Sequence, residues 1–159
     1  MIRARLRRTR DGGWQLRLPA AERELLRTLP SQVRQLIAAR DESTRRLFPP
    51  AYADDPAGEA EYRQMVGDSL IESHRASLRI LESTVDAEML DDEQLNSWLG
   101  ALNDLRLVLG TRLDVGEDFE ALAPGDANAP AMATYAYLSM LQEQVVQALT
   151  AALEQPFKK

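Results

Sequence analysis

Apolar side chains recur at helical spacing through several long stretches of this chain, and this pattern constrains the fold more than any other feature. Spacings of three and four residues place such side chains on one side of an α-helix. The longest such stretch runs near Gly58 to Val85. Its apolar positions are Tyr62, Met65, Val66, Leu70, Ile71, Leu78 and Leu81. The pattern predicts a mainly α-helical domain.

Two further stretches carry the same pattern nearer the C-terminus. One begins at Asp91, where Gln94 three residues later completes a capping box, and Gly110 is a plausible C-cap. The last helix opens at Asp126 or Asn128, and Pro130 lies in its first turn. Residues 114–130 are predicted to form an acidic loop between these two helices.

Two shorter helices are predicted before Gly58. The first starts after Pro19 and is ended or kinked by Pro30, and Ser31 can cap a second helix that runs to about Thr44. Residues 47–56 form a proline-rich connector. The prediction is therefore five helices in a bundle-like arrangement.

In the first eighteen residues the apolar side chains recur at every second position, the period of a β-strand and not of a helix. Apolar and polar residues alternate on both sides of Asp11-Gly12-Gly13, which is a strong β-hairpin signal. One face of the hairpin is then apolar and the other mostly arginine. At 159 residues the chain fits one domain, residues 1–159, with a hairpin at 1–18 and a helical body at 19–159.

The hairpin lies in the basic end of the chain, residues 1–40, which is followed by an acidic body, residues 41–159. Residues 1–40 carry ten arginines and a net charge of +7, whereas residues 41–159 carry a net charge of −13. The arginines could bind phosphate, protect an exposed strand edge from pairing, or dock on the acidic body, including the acidic loop. The candidate nucleic-acid or partner-binding residues are Arg3, Arg5, Arg7, Arg8, Arg10 and Arg17.

A second candidate is a polar group within the predicted helix after Asp91. One interpretation is an interaction surface, or a polar clamp that holds the connector. The other is that these residues cap the helix and form a buried pair whose hydrogen bonds are satisfied. Gly100 and Ala101 in the adjacent turn would allow close approach of another backbone. The group consists of Asn103, Asp104, Arg106 and Arg112.

No pattern in the sequence indicates catalysis. The chain has no cysteine, no glycine-rich phosphate loop, no nucleophile elbow and no zinc-peptidase motif. His74, the only histidine, borders an apolar helix face and is expected to be packed or hydrogen-bonded. We therefore predict no catalytic residue, no metal and no cofactor. The lack of a long apolar run predicts no membrane span and a cytoplasmic protein.

Four runs of residues resemble an actinobacterial family of unknown function whose members include the oxidative-stress transcriptional regulator AosR. The runs are residues 7–14, 47–55, 61–63 and, above all, the stretch WLGALNDLRLVLGTRL at 98–113. The resemblance implies a small, helical, cytoplasmic, non-enzymatic protein with gene neighbours in protein turnover and cysteine metabolism. Regulation through an oxidised cysteine pair, implied for some members, cannot operate in this cysteine-free chain.

These observations predict a non-enzymatic regulatory protein of transcription or stress response. It would act by contact with another protein, for example one of the transcription machinery, with weak DNA contact through the arginine hairpin as an open possibility. The alternative is an adaptor or structural homodimer without a nucleic-acid role.

Overall fold

The computed structural model describes residues 4–113 and 128–154. Within them the fold is mainly α, with five helices, one of them a 3₁₀ helix, and a small N-terminal hairpin, which confirms the predicted fold class. The single domain over 1–159 stays a prediction. In chain order the elements are β1 (Leu6–Arg8), β2 (Trp14–Leu16), α1 (Ala20–Ala38), the 3₁₀ helix (Glu42–Leu47), α2 (Pro56–Thr84), β3 (Met89–Leu90), α3 (Asp92–Arg112) and α4 (Ala129–Glu154).

Helix α3 lies at the centre of the fold and packs against α1, α2, α4 and the 3₁₀ helix. The predicted capping box at Asp91 and Gln94 is present at its start. Its inward face includes Trp98, which is fully buried and donates a hydrogen bond from Nε1 to Thr84 Oγ1 at 2.7 Å. This buried face of α3 is the part of the core against which the neighbouring helices pack.

Of the two predictions made for Pro30, that it ends or that it kinks the first helix, the end is wrong. Helix α1 continues through Pro30 to Ala38, so the expected second helix from Ser31 is the second half of α1. A proline inside a helix costs about 3 kcal/mol because it removes one hydrogen bond and crowds the preceding turn. Both halves of α1 bury side chains in the same core, and this burial offsets the cost. The buried positions are Leu26, Pro30, Val33 and Ile37.

Two other helix details differ from prediction. Helix α3 passes Gly110, the expected C-cap, and ends at Arg112. Gly110 instead lets α4 come close, since a Cβ there would lie 3.0 Å from the Tyr135 ring. In α2, Met65 was predicted on the inward face but is 76% exposed. The buried residues of α2 all lie in its last two turns, at Leu78, Leu81 and Thr84.

The hairpin belongs to a three-stranded antiparallel sheet in the order β1-β2-β3. Gly12 takes the positive φ of 92° that the tight turn requires. Trp14 and Gln15 of β2 pair with Leu90 and Met89 of β3, a strand that sequence reasoning did not predict. Two residues are too few to show a period, so only the fold reveals this strand.

Arg23 on α1 ties the sheet to the helices. Its guanidinium donates to four backbone carbonyls, at distances of 2.6 to 3.2 Å. The carbonyls belong to Leu16 at the end of β2, Leu18 before α1, and Val85 and Ala87 after α2. One side chain thus satisfies acceptors that would otherwise lose their hydrogen bonds where three segments meet.

No helix in either described segment combines the length and apolar character needed to span a membrane.

Replacing Arg23 with lysine should destabilise the protein by about 3 kcal/mol, because an ammonium group cannot reach all four carbonyls. The melting temperature should fall by about 6–12 °C. Thermal unfolding followed by circular dichroism measures this. The matched control is Arg27→Lys, which alters exposed ion pairs with Glu24 and Asp86 and should cost less than about 0.5 kcal/mol. Equal losses in the two variants would contradict the role assigned to Arg23.

Candidate functional site

Arg5 is held against the helical body. Its guanidinium makes two hydrogen bonds to the Glu22 carboxylate on α1, at 3.0 and 2.8 Å. Its backbone N–H donates to Gln144 Oε1 on α4 at 2.8 Å. Burial opposes ionisation of Glu22, but the hydrogen bonds outweigh it, so the Glu22 pKa lies below its ordinary value. Arg5 therefore joins β1 to α1 and α4.

Arg8 is also engaged internally. It lies on the same sheet face as Trp14, and its guanidinium is 4.6 Å from the centroid of the indole ring, a cation–π contact. Asp92, in the first turn of α3, accepts from Arg8 at 2.9 Å and from Trp14 Nε1 at 2.7 Å. The Trp14 and Arg8 hydrogen bonds hold the Asp92 pKa below its ordinary value. This cluster fastens the hairpin to the start of α3.

The basic end thus docks extensively on the rest of the protein. Arg27 pairs with Asp86 and Arg34 with Glu82, both at 2.5 Å. Three predicted site arginines are exposed, and their side chains make no hydrogen bond or ion pair with the described part of the chain; they are Arg7, Arg10 and Arg17. Arg3 and residues 114–127 of the predicted acidic loop lie outside the described residues. A nucleic-acid or partner role for the hairpin stays a prediction.

The second candidate group does not converge on one point. Asp104 is buried and bonds to His74 Nδ1 on α2 at 2.7 Å. Asn103 accepts from Gln142 on α4 at 3.3 Å and from Arg106 at 3.5 Å. The Asp41 pKa is lowered mainly by hydrogen bonds from Ser43, and the positive charge of Arg112 lowers it further. These residues join α3 to three different neighbours, which is the arrangement expected of structural contacts.

Carboxylates of the connector and of the first turn of α2 have local partners. Asp55 caps α2 by accepting from the Gly58 N–H at 3.1 Å. Glu59 accepts from the Tyr52 N–H at 2.8 Å and pairs with Arg63. No group of three metal-binding side chains occurs among residues 4–113 and 128–154.

A groove that sequence reasoning missed lies between the end of α1, the 3₁₀ helix and the first half of α2. It has a volume of about 580 Å³ and is partly open to solvent. Ile37, Phe48 and Ile71 contribute to its apolar lining, and Arg40 and Arg63 are among its charged residues. The Phe48 ring packs edge-on against His74 at 5.2 Å. The aromatic, proline-rich connector was the available sequence signal, but it does not show that three elements enclose a cavity.

The His74–Asp104 pair should make stability depend on pH. The hydrogen bond that His74 Nδ1 donates to the Asp104 carboxylate raises the His74 pKa above 6.5 despite burial. Burial raises the pKa of Asp104, and the contact with His74 partly counteracts this. Since the folded state holds the His74 proton more tightly, this stabilisation is complete below pH 6.5 and is lost as pH rises through the raised pKa.

Urea unfolding across pH should therefore show the wild type losing its advantage over His74→Gln as pH rises above 6.5. No other histidine titrates in this chain. Asp104→Asn, which keeps the side-chain shape without the charge, should remove most of this pH dependence. An unchanged difference between wild type and His74→Gln over the whole range would contradict the assignment.

Comparison with known proteins places the chain in a family. The oxidative stress regulators AosR of Mycobacterium tuberculosis (strain ATCC 25618 / H37Rv) and Mycobacterium bovis are each 32% identical over 129 residues, which cover 69% of this chain and 58% of the relative. The putative oxidative stress regulator AosR of Mycobacterium leprae is 30% identical over 129 residues, which cover 70% of this chain and 59% of the relative. The chain thus spans less than two thirds of the length of these curated relatives. No solved structure matches it. A family model described as a domain of unknown function, DUF2017, matches residues 2–149, and the chain belongs to this family.

Proposed function

We propose that this chain is a non-enzymatic regulatory protein that acts by binding another protein, for example a component of the transcription machinery. The regulatory part of the proposal is supported by the relatives named as oxidative stress regulators. Because the chain has no cysteine, a response to oxidation cannot use a thiol of this chain. The predicted cytoplasmic location remains part of the proposal.

The observation that favours protein contact over DNA contact is the internal use of the arginines. Five of the basic-end arginines pair with carboxylates or carbonyls of the chain itself: Arg5, Arg8, Arg23, Arg27 and Arg34. A protein that binds DNA tightly needs several phosphate contacts at once. The exposed hairpin arginines Arg7, Arg10 and Arg17 form a small set, so DNA contact through them would be weak and dependent on salt.

The contacts of His74, the only histidine, support the proposal that the chain is not an enzyme. The His74 Nδ1 atom is bonded to buried Asp104, and the ring is packed against Phe48. A general base needs a ring nitrogen within hydrogen-bond reach of a substrate. The contacts of His74 instead hold α2, α3 and the connector together.

The alternative function is an adaptor or structural homodimer, and exposed apolar side chains favour it. Met65 on α2 is 76% exposed, and Leu153 on α4 is 88% exposed. Large exposed apolar side chains that cluster on one surface mark interaction sites, whereas isolated ones are common on monomers. Light scattering at micromolar concentration distinguishes these states: we expect a monomer, and a stable dimer would favour the alternative.

DNA binding provides the main test of the proposed mechanism. Fluorescence anisotropy with a labelled duplex over a range of NaCl concentrations should show weak binding that disappears at physiological salt. Replacing Arg7, Arg10 and Arg17 with alanine should flatten the salt dependence by about three units in the log–log plot, since each phosphate contact contributes about 0.9.

The control variant replaces Arg45, Arg75 and Arg79 with alanine, which removes the same charge from the 3₁₀ helix and α2. This variant should change DNA binding less than the hairpin variant does. Tight, sequence-dependent binding by the wild type at physiological salt would contradict a mechanism based on protein contact.

A further inference from the structure

We infer that His74 is a proton-operated latch on the segment at the end of the 3₁₀ helix, Leu47 and Phe48. While the imidazole is protonated it holds this segment against α2. When the imidazole loses its proton the segment loosens, and the groove that Phe48 lines changes shape. The latch goes beyond the proposed function, since it is a property of the fold that needs no partner, and either proposal can fail without the other.

The His74 ring contacts two hydrogen-bond acceptors that belong to different elements. On α3, the Asp104 carboxylate lies 2.7 Å from Nδ1, and its side chain is 4% exposed. At the end of the 3₁₀ helix, the backbone carbonyl of Leu47 also accepts from the ring. Because Asp104 occupies Nδ1, Nε2 is the nitrogen left for this carbonyl. An ionised carboxylate and a carbonyl have no proton to donate, so the ring must supply both hydrogen bonds.

The protonated ring can supply both hydrogen bonds, and the neutral ring cannot. Neutral imidazole has one N–H group and one bare nitrogen, whereas the imidazolium has two N–H groups. A buried carboxylate is the stronger acceptor, so the neutral ring keeps its N–H for Asp104. The bare Nε2 then faces the Leu47 carbonyl, and two lone pairs oppose each other. Loss of the proton therefore favours a state in which this carbonyl turns away from the ring.

The charged groups around the ring set the direction of the pH dependence. Among the described residues, Asp104 is the charged group that raises the His74 pKa above 6.5, chiefly through its hydrogen bond, while burial of the ring opposes this. The segment presents a backbone carbonyl and the uncharged ring of Phe48. On α2, Arg63 lies at the Phe48 carbonyl and pairs with Glu59. The latch is therefore closed below pH 6.5 and opens as pH rises through the raised pKa.

The segment is held to α2 at two consecutive carbonyls, and a proton controls one of them. The Leu47 carbonyl is held by His74, and the Phe48 carbonyl accepts from Arg63 at 2.8 Å. An arginine stays charged throughout the range in which a histidine titrates. Arg63 is thus a permanent anchor beside a switchable one.

The residues that follow the segment do little to hold it. Residues 49–57 are exposed, and the two prolines that begin this stretch have no N–H to donate. The next hydrogen bond along the chain runs from the Tyr52 N–H to Glu59 at 2.8 Å. The Leu47 side chain, by contrast, is 5% exposed and stays in the core. Loss of the His74 contact therefore loosens the chain from Phe48 to Tyr52 and leaves the 3₁₀ helix in place.

Phe48 connects the latch to the groove. Its ring packs edge-on against His74, with the centroids 5.2 Å apart, and it lines the cavity together with Ile37 and Ile71. The ring moves with the backbone that carries it, so opening of the latch displaces one apolar wall of the groove. The state of one proton thus controls the shape of this surface.

The test is hydrogen exchange followed by NMR on the full chain from about pH 6 to about pH 9, with rates corrected for the intrinsic effect of pH. The ring signals of His74 report its protonation in the same sample, and no other histidine overlaps them. Protection of the Phe48 and Tyr52 amides should fall about three- to tenfold as pH rises through the His74 midpoint, the loss expected for one hydrogen bond.

Dilute urea distinguishes local opening from unfolding of the whole chain. Exchange of the Phe48 and Tyr52 amides should be insensitive to urea, because opening of the latch exposes little surface. Exchange of the Trp98 and Leu102 amides in the centre of α3 should accelerate with urea, because it requires global unfolding.

Three variants provide the controls. In His74→Gln, which cannot titrate, protection of the Phe48 and Tyr52 amides should not change with pH. Arg63→Gln is the matched control, because it removes the permanent anchor: it should lower protection at every pH and keep the fall at the His74 midpoint. Asp104→Asn should lower this midpoint, shrink the fall and move what remains to lower pH. If Asp104→Asn does not fold, the other two variants still decide.

Three results would overturn the latch. One is constant protection of the Phe48 and Tyr52 amides while His74 titrates, and another is an equal fall in His74→Gln. The third is exchange at these amides that is as sensitive to urea as exchange in the centre of α3. A fall that follows the His74 midpoint, is absent from His74→Gln and is insensitive to urea supports the latch. None of these measurements involves a partner, so they leave the proposed function to its own tests.

Discussion

The contact between the Arg23 guanidinium and four backbone carbonyls is the interaction on which the architecture depends. It lies where β2 ends, α1 begins and α2 gives way to β3. A small sheet is marginal by itself and must bury one face on helices. The carbonyls at its edge then lose their hydrogen bonds to water and need a donor from the protein in its place. A planar fork of five N–H groups meets this need in a way that no other side chain can. With the junction satisfied, Trp14 and Leu16 can be buried against the helices.

Arginine therefore has two roles in this chain. One set joins elements of the fold: Arg5 holds Glu22, Arg8 holds Asp92 and Arg23 holds the carbonyl junction. The other set, at the hairpin and at the end of α1, has no such contacts with the described residues. The net charge of the basic end overstates what is available to a partner, because much of it is neutralised inside the molecule. A function that depends on the positive charge of the basic end must use the second set, in which Arg40 alone has a positive φ.

Local signals in the sequence were sufficient for most of the elements. The capping residues Asp91 and Gln94, the Asp11-Gly12 turn and the long apolar periods each depend on neighbours within a few residues, so they could be predicted correctly. The predicted helix end at Pro30 was wrong because the free-energy cost of a proline inside a helix is outweighed by the burial of side chains from both halves of α1. Met65 misled because periodicity identifies an apolar face without showing how far the neighbouring helices extend along it.

The sequence by itself determined the class of fold, the hairpin, the charge difference between the two ends and the absence of cysteine chemistry. The tertiary structure alone decided which arginines are neutralised, that a two-residue strand completes the sheet, and that the connector encloses a groove with α1 and α2. The physical reason is distance along the chain. Pairs such as Arg8 with Asp92 or His74 with Asp104 join residues 84 and 30 positions apart, and such pairs form only when helix packing brings them together. The strain at Arg40 is likewise invisible in the sequence, since it arises from how α1 ends before the 3₁₀ helix.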